Sequence, residues 1–460
     1  MKTKHFFSVF LLLSILMSLW AVPMASAAED GPPLPKDPDI LAKAALLVDY
    51  DTGTVVYAKD EHKELYPASL TKIMTALLTL EAIQDGKLSM DQTLTATASA
   101  LEGLSNDGSS AGIKVGETMS VRDLMYCMLV VSANEACDIL AEGVAGSVSA
   151  FVDLMNARAK ELGCENTHFA NPNGLHDSQH YTSAWDMYLI TRAAMEHPAF
   201  MTICDTPDVV IPATNLSEER HLYTTNHLLS NWRVIGYRNK EAHGIKTGST
   251  DAAGHCLVSS AVRGSLHFVS VILGADRVEE NGVGNIRSFS ETTRMFNYGF
   301  DNFSYKTVVD DTQVLDKEIP VALSKVDHVT IRPAQEVEVL MPSGLSPKDL
   351  ERTLVIQEPV EAPVKEGQKL GTMELSYQGR VYATVDLLAM HDVEASKLLV
   401  FWRDVKLFFA KPAVRIVLIV LAVLAALVLV WRLLLGRRRY RYGRSVGRGR
   451  NRGYRGRRRS

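Results

Sequence analysis

Three short motifs hold the side chains best suited to chemistry: Ser69-Leu70-Thr71-Lys72, Ser132-Ala133-Asn134 and Lys246-Thr247-Gly248. A serine hydroxyl is a weak nucleophile and needs a base within hydrogen-bond reach. On a helix, residues three apart share a face, so Lys72 stands one turn from Ser69. A lysine normally holds its proton at neutral pH, but burial and a nearby cation lower its pKa and free the amine to accept one. Lys246 is the candidate for that cation. Together the motifs describe a serine acyl-transfer site run by lysine instead of histidine. Ser69 at a helix start can offer its own N–H as half of an oxyanion hole, with Ser249 supplying the other half. Gly248 lets a substrate backbone approach and pair with an edge strand.

The elements needed to position these residues are legible. Two β-type runs, 45–49 and 54–58, flank Asp51-Thr52-Gly53, a hairpin signal. A helix begins near Ser69, and helical spacing continues over 121–131, 135–145, 149–162 and 183–196. Strands return at 244–247, 255–262 and 266–273, before a helix around 286–297. The fold class is therefore α+β: one antiparallel five-stranded sheet with helices against it and a helical lobe at one edge. From about 305 to 390, short β-type runs alternate with Pro/Gly turns, which indicates a small all-β domain.

The ends point to an envelope. Lys2 and Lys4 precede an apolar run over 6–20 and the small residues Ala25-Ser26-Ala27, the pattern of a signal peptide spanning 1–28. Near the other end, 416–431 carries no charge, and a span over 413–435 reaches about 35 Å as a helix. Residues 436–460 hold twelve arginines and no acid, whereas 29–400 carry a formal −22. Arginine beside a span stays cytoplasmic, which places the long acidic part outside. The tail's expected contact is anionic lipid, with no nucleic acid partner. Residues 394–412 put Leu398, Phe401, Trp402, Val405, Phe408 and Phe409 on one helical face, suited to the membrane surface or to packing on the β domain.

The remaining titratable groups are less informative. Five cysteines cannot all pair within one chain and read as buried thiols. No spacing indicates a metal site, and no cofactor is expected. Asp153, Asp177 and Asp186 are not spaced as an acid pair, and Glu279-Glu280 reads as a solvated loop. His243 reads as a pH-dependent neighbour or a surface histidine.

The motif set, with Pro67-Ala68 before the first, Asn171-Pro172-Asn173-Gly174-Leu175, and Gly244-Ile245 before the third, resembles the D-alanyl-D-alanine carboxypeptidases. These are low-molecular-mass penicillin-binding proteins of bacterial envelopes, and the likeness covers about 40–390. It implies a catalytic domain over 29–304 and a β-rich domain over 305–393. It further implies that Ser69 attacks the bond between the terminal D-alanines of a peptidoglycan stem peptide, that Lys72 takes the proton and that Ser132 relays it. Asn134 would hold the substrate amide, Lys246 and Thr247 its carboxylate, and β-lactams would acylate Ser69. Endopeptidase or transpeptidase action on muropeptides is the alternative. A serine β-lactamase uses the same motif order but needs E-x-x-L-N, which is absent between Asn134 and Lys246. Ala133, Glu135 and His243 stand where the family often has Gly, Asp and an acid, and the complete span with its arginine tail also departs from many relatives.

Overall fold

A computed structural model describes residues 31–104, 108–280, 283–310, 312, 315, 317–356 and 359–438. The signal-peptide segment and residues 439–460 of the arginine tail lie outside the described residues. The chain divides into two compact units, one of 1–308 with 338–350 and one of 309–337 with 351–460.

In the first unit β1 (Ala44–Asp49) and β2 (Val55–Lys59) form the expected hairpin, and β1 also pairs with a distant strand. That strand, β5 (Leu266–Ala275), follows β3 (Ala242–Thr250) and β4 (Gly254–Arg263). The order β2-β1-β5-β4-β3 is antiparallel throughout and leaves β3 on an edge. Both faces of the sheet are covered, and the inner strands β1 and β5 are accordingly buried along almost their whole length. On one face lies the C-terminal helix of this unit, Arg287–Asn302. There Phe268, Ile272, Phe296 and Phe300 are buried together. A Cβ at Gly299 would stand 2.8 Å from the Phe268 ring, so glycine sets how closely this helix approaches.

The other face carries α1 (Lys72–Gln84), of whose thirteen residues ten are buried. A helix enclosed on nearly every side is a central one, and this placement takes Lys72 into the core. Around it lie α2 (Val121–Val130), α3 (Asn134–Ala145), α4 (Val148–Glu161) and α5 (Ala184–Met195). Their limits follow from capping chemistry. Ser120, Ser147 and Ser183 accept the N–H of Asp123, Ala150 and Asp186, while Gly146 at φ +81 ends α3. Two local expectations change. Ser69 belongs to a tight 3-10 turn, Ala68–Thr71, that precedes α1 instead of forming its first turn. Glu279 and Glu280 lie in a strand, Arg277–Glu280, paired with Val283–Ile286.

The second unit is built on a six-stranded sheet. Its longest hairpin joins Lys369–Tyr377 to Arg380–Ala389 through Gln378 and Gly379, at φ +48 and +78. Positive φ at both central residues matches the right-handed strand twist. The unit continues into α6 (Lys397–Ala410) and α7 (Pro412–Arg438). Leu398, Phe401, Trp402 and Phe408 are exposed on α6. Within α7, Pro412–Leu434 is 23 residues long with mean hydropathy 3.1, long and apolar enough to cross a membrane.

Candidate active site

Ser69 owes its position to a turn held from three sides. Ala68 adopts φ +49, a strained value for a residue with a side chain. Its carbonyl accepts the Thr71 hydroxyl at 2.8 Å, and His180 Nε2 meets that hydroxyl at 2.7 Å. The Ala170 N–H donates to His180 Nδ1, so Nε2 carries the proton and donates to Thr71. Burial pushes His180 down to about 4, which keeps the ring neutral at neutral pH. Gly174 lies against the same carbonyl: a Cβ there would fall 2.0 Å from Ala68 O. Only glycine, here at φ +87, fits that approach.

One turn on, the ammonium of Lys72 is completely buried and has three acceptors. Ser69 Oγ lies at 3.0 Å, Asn134 Oδ1 at 2.8 Å, and the Asn173 carbonyl is the third. Asn134 and Asn173 O are fixed acceptors and take two N–H groups. The remaining tetrahedral direction faces Ser69, where a protonated Nζ donates and a neutral Nζ presents its lone pair. Burial lowers the Lys72 pKa, against the pull of Cys137, Asp138 and Glu135. Ser132, at φ +67 between α2 and α3, aims a buried Oγ with no partner among the described residues.

The third motif lies on β3. Lys246 is buried and donates to the Thr247 carbonyl at 2.9 Å. Burial first, and then the Lys72 charge, lower its pKa to about 7. The expectation made Lys246 the cation acting on Lys72. Burial, expected alongside such a cation, is the main cause at both sites, and the charge that acts between the two lysines is that of Lys72 on Lys246. Thr247 Oγ1 meets Thr225 Oγ1 at 2.6 Å. A Cβ at Gly248 would stand 2.8 Å from Pro67 O and 3.1 Å from Ser69 N, so this glycine brings the strand edge against the Ser69 amide. His243 is half-exposed and pairs with Asp205 at 2.9 Å. Asp205 also takes the Gly244 N–H, which ties down the start of β3.

Ser69, Ser132, Thr225, Thr247, Gly248 and Ser249 line one open cleft of about 240 Å³. Lys72 and Asn134 lie beneath it, Lys72 donating to Ser69 Oγ and to Asn134 Oδ1. Such an arrangement can deprotonate a hydroxyl beside an exposed strand edge. Thr225, His180, Asn173 and Asp138 were not singled out from the sequence for any role of their own. Asp138 lies four residues after Asn134 on one helix, a spacing that marks a shared face. The acids weighed instead are structural or exposed: Asp186 accepts from Asn166 N and Thr167 Oγ1, and Asp177 closes a turn with Gln179. The five cysteines are free, Cys164 being half-buried and the others buried.

Sheet, helical lobe and lysine-bearing cleft define a serine acyl-transfer enzyme. A family model described as D-alanyl-D-alanine carboxypeptidase matches residues 32–277, and one described as penicillin-binding protein 5, C-terminal domain, matches 303–395. The chain belongs to the D-alanyl-D-alanine carboxypeptidase family of serine peptidases. It is 31% identical to D-alanyl-D-alanine carboxypeptidase DacF of Bacillus subtilis, over 85% of this chain and 95% of that one. A D-alanyl-D-alanine endopeptidase of Pseudomonas aeruginosa is 30% identical over 62% of this chain and 86% of its own length. Among solved structures, the D-alanyl-D-alanine carboxypeptidase DacD of Francisella tularensis superposes with a TM-score of 0.64 at 28% identity, covering 80% of this chain and 98% of that one.

Proposed function

We propose that this protein removes the terminal D-alanine from peptidoglycan stem pentapeptides through an acyl-enzyme on Ser69. Lys72 takes the Oγ proton as the hydroxyl attacks the carbonyl between the two D-alanines. The N–H groups of Ser69 and Ser249 stabilise the oxyanion that forms. Ser132 relays the proton to the departing amine. Asn134 holds the substrate amide, Lys246 and Thr247 bind the free carboxylate, and Gly248 admits the peptide backbone to the strand edge. Water then releases the shortened stem. β-Lactams acylate the same oxygen.

The observation that carries this reading is the Lys72 amine, 3.0 Å from Ser69 Oγ with its other two hydrogens committed. Lacking freedom to turn elsewhere, its lone pair must face the nucleophile whenever it is neutral. The test incubates the purified protein with a stem pentapeptide and weighs the products. Loss of one alanine supports the reading; a product rejoined to an amine acceptor, or cleavage only of cross-linked dimers, would replace it with transpeptidase or endopeptidase action.

We also propose the chain's layout. The signal peptide ends at 28, a catalytic domain covers 29–304 and a β-rich domain 305–393. A helix over 394–412 rests on the membrane surface, a span covers 413–435, and the arginine tail 436–460 remains cytoplasmic. The catalytic domain then faces the wall. Support comes from the apolar length of α7 and the charge asymmetry across it. Protease added outside intact cells, with the tail epitope protected, is the check.

A further inference from the structure

Beneath the cleft, four buried groups close a ring. Lys72 donates to Asn134 at the first position of α3. One turn along the same helix stands Asp138, 5% exposed. Asp138 accepts the Asn173 side-chain amide at 3.2 and 3.4 Å, and the Asn173 backbone carbonyl accepts from Lys72. The Leu175 N–H donates to Asn173 Oδ1 at 2.9 Å, which fixes the amide so that its NH₂ group must face the Asp138 carboxyl. The 171–175 loop is pinned elsewhere by Gly174 N to Asn171 Oδ1 and by the Thr75 hydroxyl to the Pro172 carbonyl.

A carboxyl in this position is costly unless it does something. Burial of an acid is unfavourable, and a helix can be packed as well with an apolar side chain there. We infer that Asp138 is a positioning residue for the acylation step: it fixes the Asn173 carbonyl against Lys72, and its charge state governs how readily Lys72 gives up a proton. This rests on the reading of Lys72 as the base.

The charged neighbours decide the sign. Lys72 is faced by Glu135, Cys137 and Asp138 from α3, and its charge bears on Lys246 on β3 and on His180. Asp138 faces Lys72 and, on its own helix, Glu135 and Glu142. Glu135 is already engaged by Ser110 Oγ and Ala111 N. Burial, partly offset by the Asn173 hydrogen bond and by Lys72, raises Asp138 to about 7. An anionic Asp138 holds the proton on Lys72. A neutral Asp138 holds it less tightly, so the acid and the amine titrate as one coupled pair.

The experiment measures second-order acylation by a fluorescent penicillin from pH 5 to 9, in the full-length protein and in Asp138→Asn, Asp138→Val and Lys72→Ala. Thermal midpoints confirm folding. Asp138→Asn keeps an acceptor for Asn173 but no charge: its rate above pH 8 stays within about threefold of the parent, and its acid limb moves down by about one pH unit. Asp138→Val leaves the amide unpaired and slows acylation at least about tenfold at every pH. A folded Asp138→Val with the parent rate and profile overturns the inference. So does an Asp138→Asn acid limb that stays in place. Lys72→Ala acylating at the parental rate would instead overturn the reading of Lys72 as base.

Discussion

The two units handle buried polarity in opposite ways. The first buries Lys72, Lys246, Asp138, Glu135, Asn134, Asn173 and His180, each hydrogen-bonded within the protein. The second, among its described residues, buries no Asp, Glu, Lys, Arg or His, and of the smaller polar side chains only Ser376. Its sheet follows an ordinary economy of apolar inside and polar outside. Burying ionised groups opposes folding by several kcal/mol per group before compensation. Asp49, Glu117, Asp186 and Glu291 are buried in the first unit on structural hydrogen bonds, whereas Lys72, Asn134, Asn173 and Asp138 gather beside one serine.

The largest expected effects test that contrast directly. Ser69→Ala should abolish labelling by a fluorescent penicillin, a loss of about 10⁴-fold or more. Retained labelling would move the nucleophile elsewhere. Lys72→Ala should leave a residual rate about 10³-fold below the parent, because the oxyanion donors and the strand edge remain. Stopped-flow acylation at pH 8 reads this difference. If both variants lost equal activity only because they unfolded, circular dichroism would reveal it.

Next in size is Gly174→Ala. The added methyl would press on the Ala68 carbonyl at a positive φ, so the turn carrying Ser69 must shift. The expected cost is about 2–3 kcal/mol in urea unfolding, with slower acylation. A neutral result would mean the Ser69 turn tolerates displacement, and the close packing invoked for it would be wrong.

Much of this was legible beforehand, for identifiable reasons. Short β-type runs and helical spacing located the sheet strands and the main helices, since both faces of the sheet and the lobe are covered. The motif residues declared themselves because few chemistries require Ser, Lys and Asn at those intervals. Asn173 escaped because its contribution is a backbone carbonyl, and every residue has one. His180 escaped because its partner, Thr71, lies 109 positions away. Asp138 could have been found by stepping one turn from Asn134. Ser69 was placed on the helix itself because spacing cannot separate a 3-10 turn from the α-helix that follows.

His180 supplies a pH test of similar size. Its folded pKa, about 4, lies below the ordinary value of 6.5. The unfolded chain therefore binds a proton that the native state refuses, and stability falls as pH drops from 6.5 towards 4. The contribution amounts to roughly 3 kcal/mol at the acid end and vanishes above pH 7. Denaturant midpoints across that window should fall more steeply in the parent than in His180→Asn. Parallel slopes would show that the ring takes up protons freely in the fold.

The smallest expected effect lies in the other unit. Val355 is 57% exposed on the strand Glu351–Ile356, an edge of the six-stranded sheet. A lysine there buries no charge and suits an edge, where it discourages pairing with another chain. Val355→Lys should change unfolding free energy by no more than about 0.5 kcal/mol. Its acylation rate should stay within about twofold of the parent, a margin set by the same surface-substitution scale. The value of so quiet a variant is as a control on the contrast between units. If polarity was kept out of the second unit because no chemistry resides there, its surface can be recharged without cost to Ser69. A tenfold fall in acylation at unchanged stability would contradict that division, since about 1.4 kcal/mol of transition-state stabilisation would then depend on a residue outside the catalytic unit.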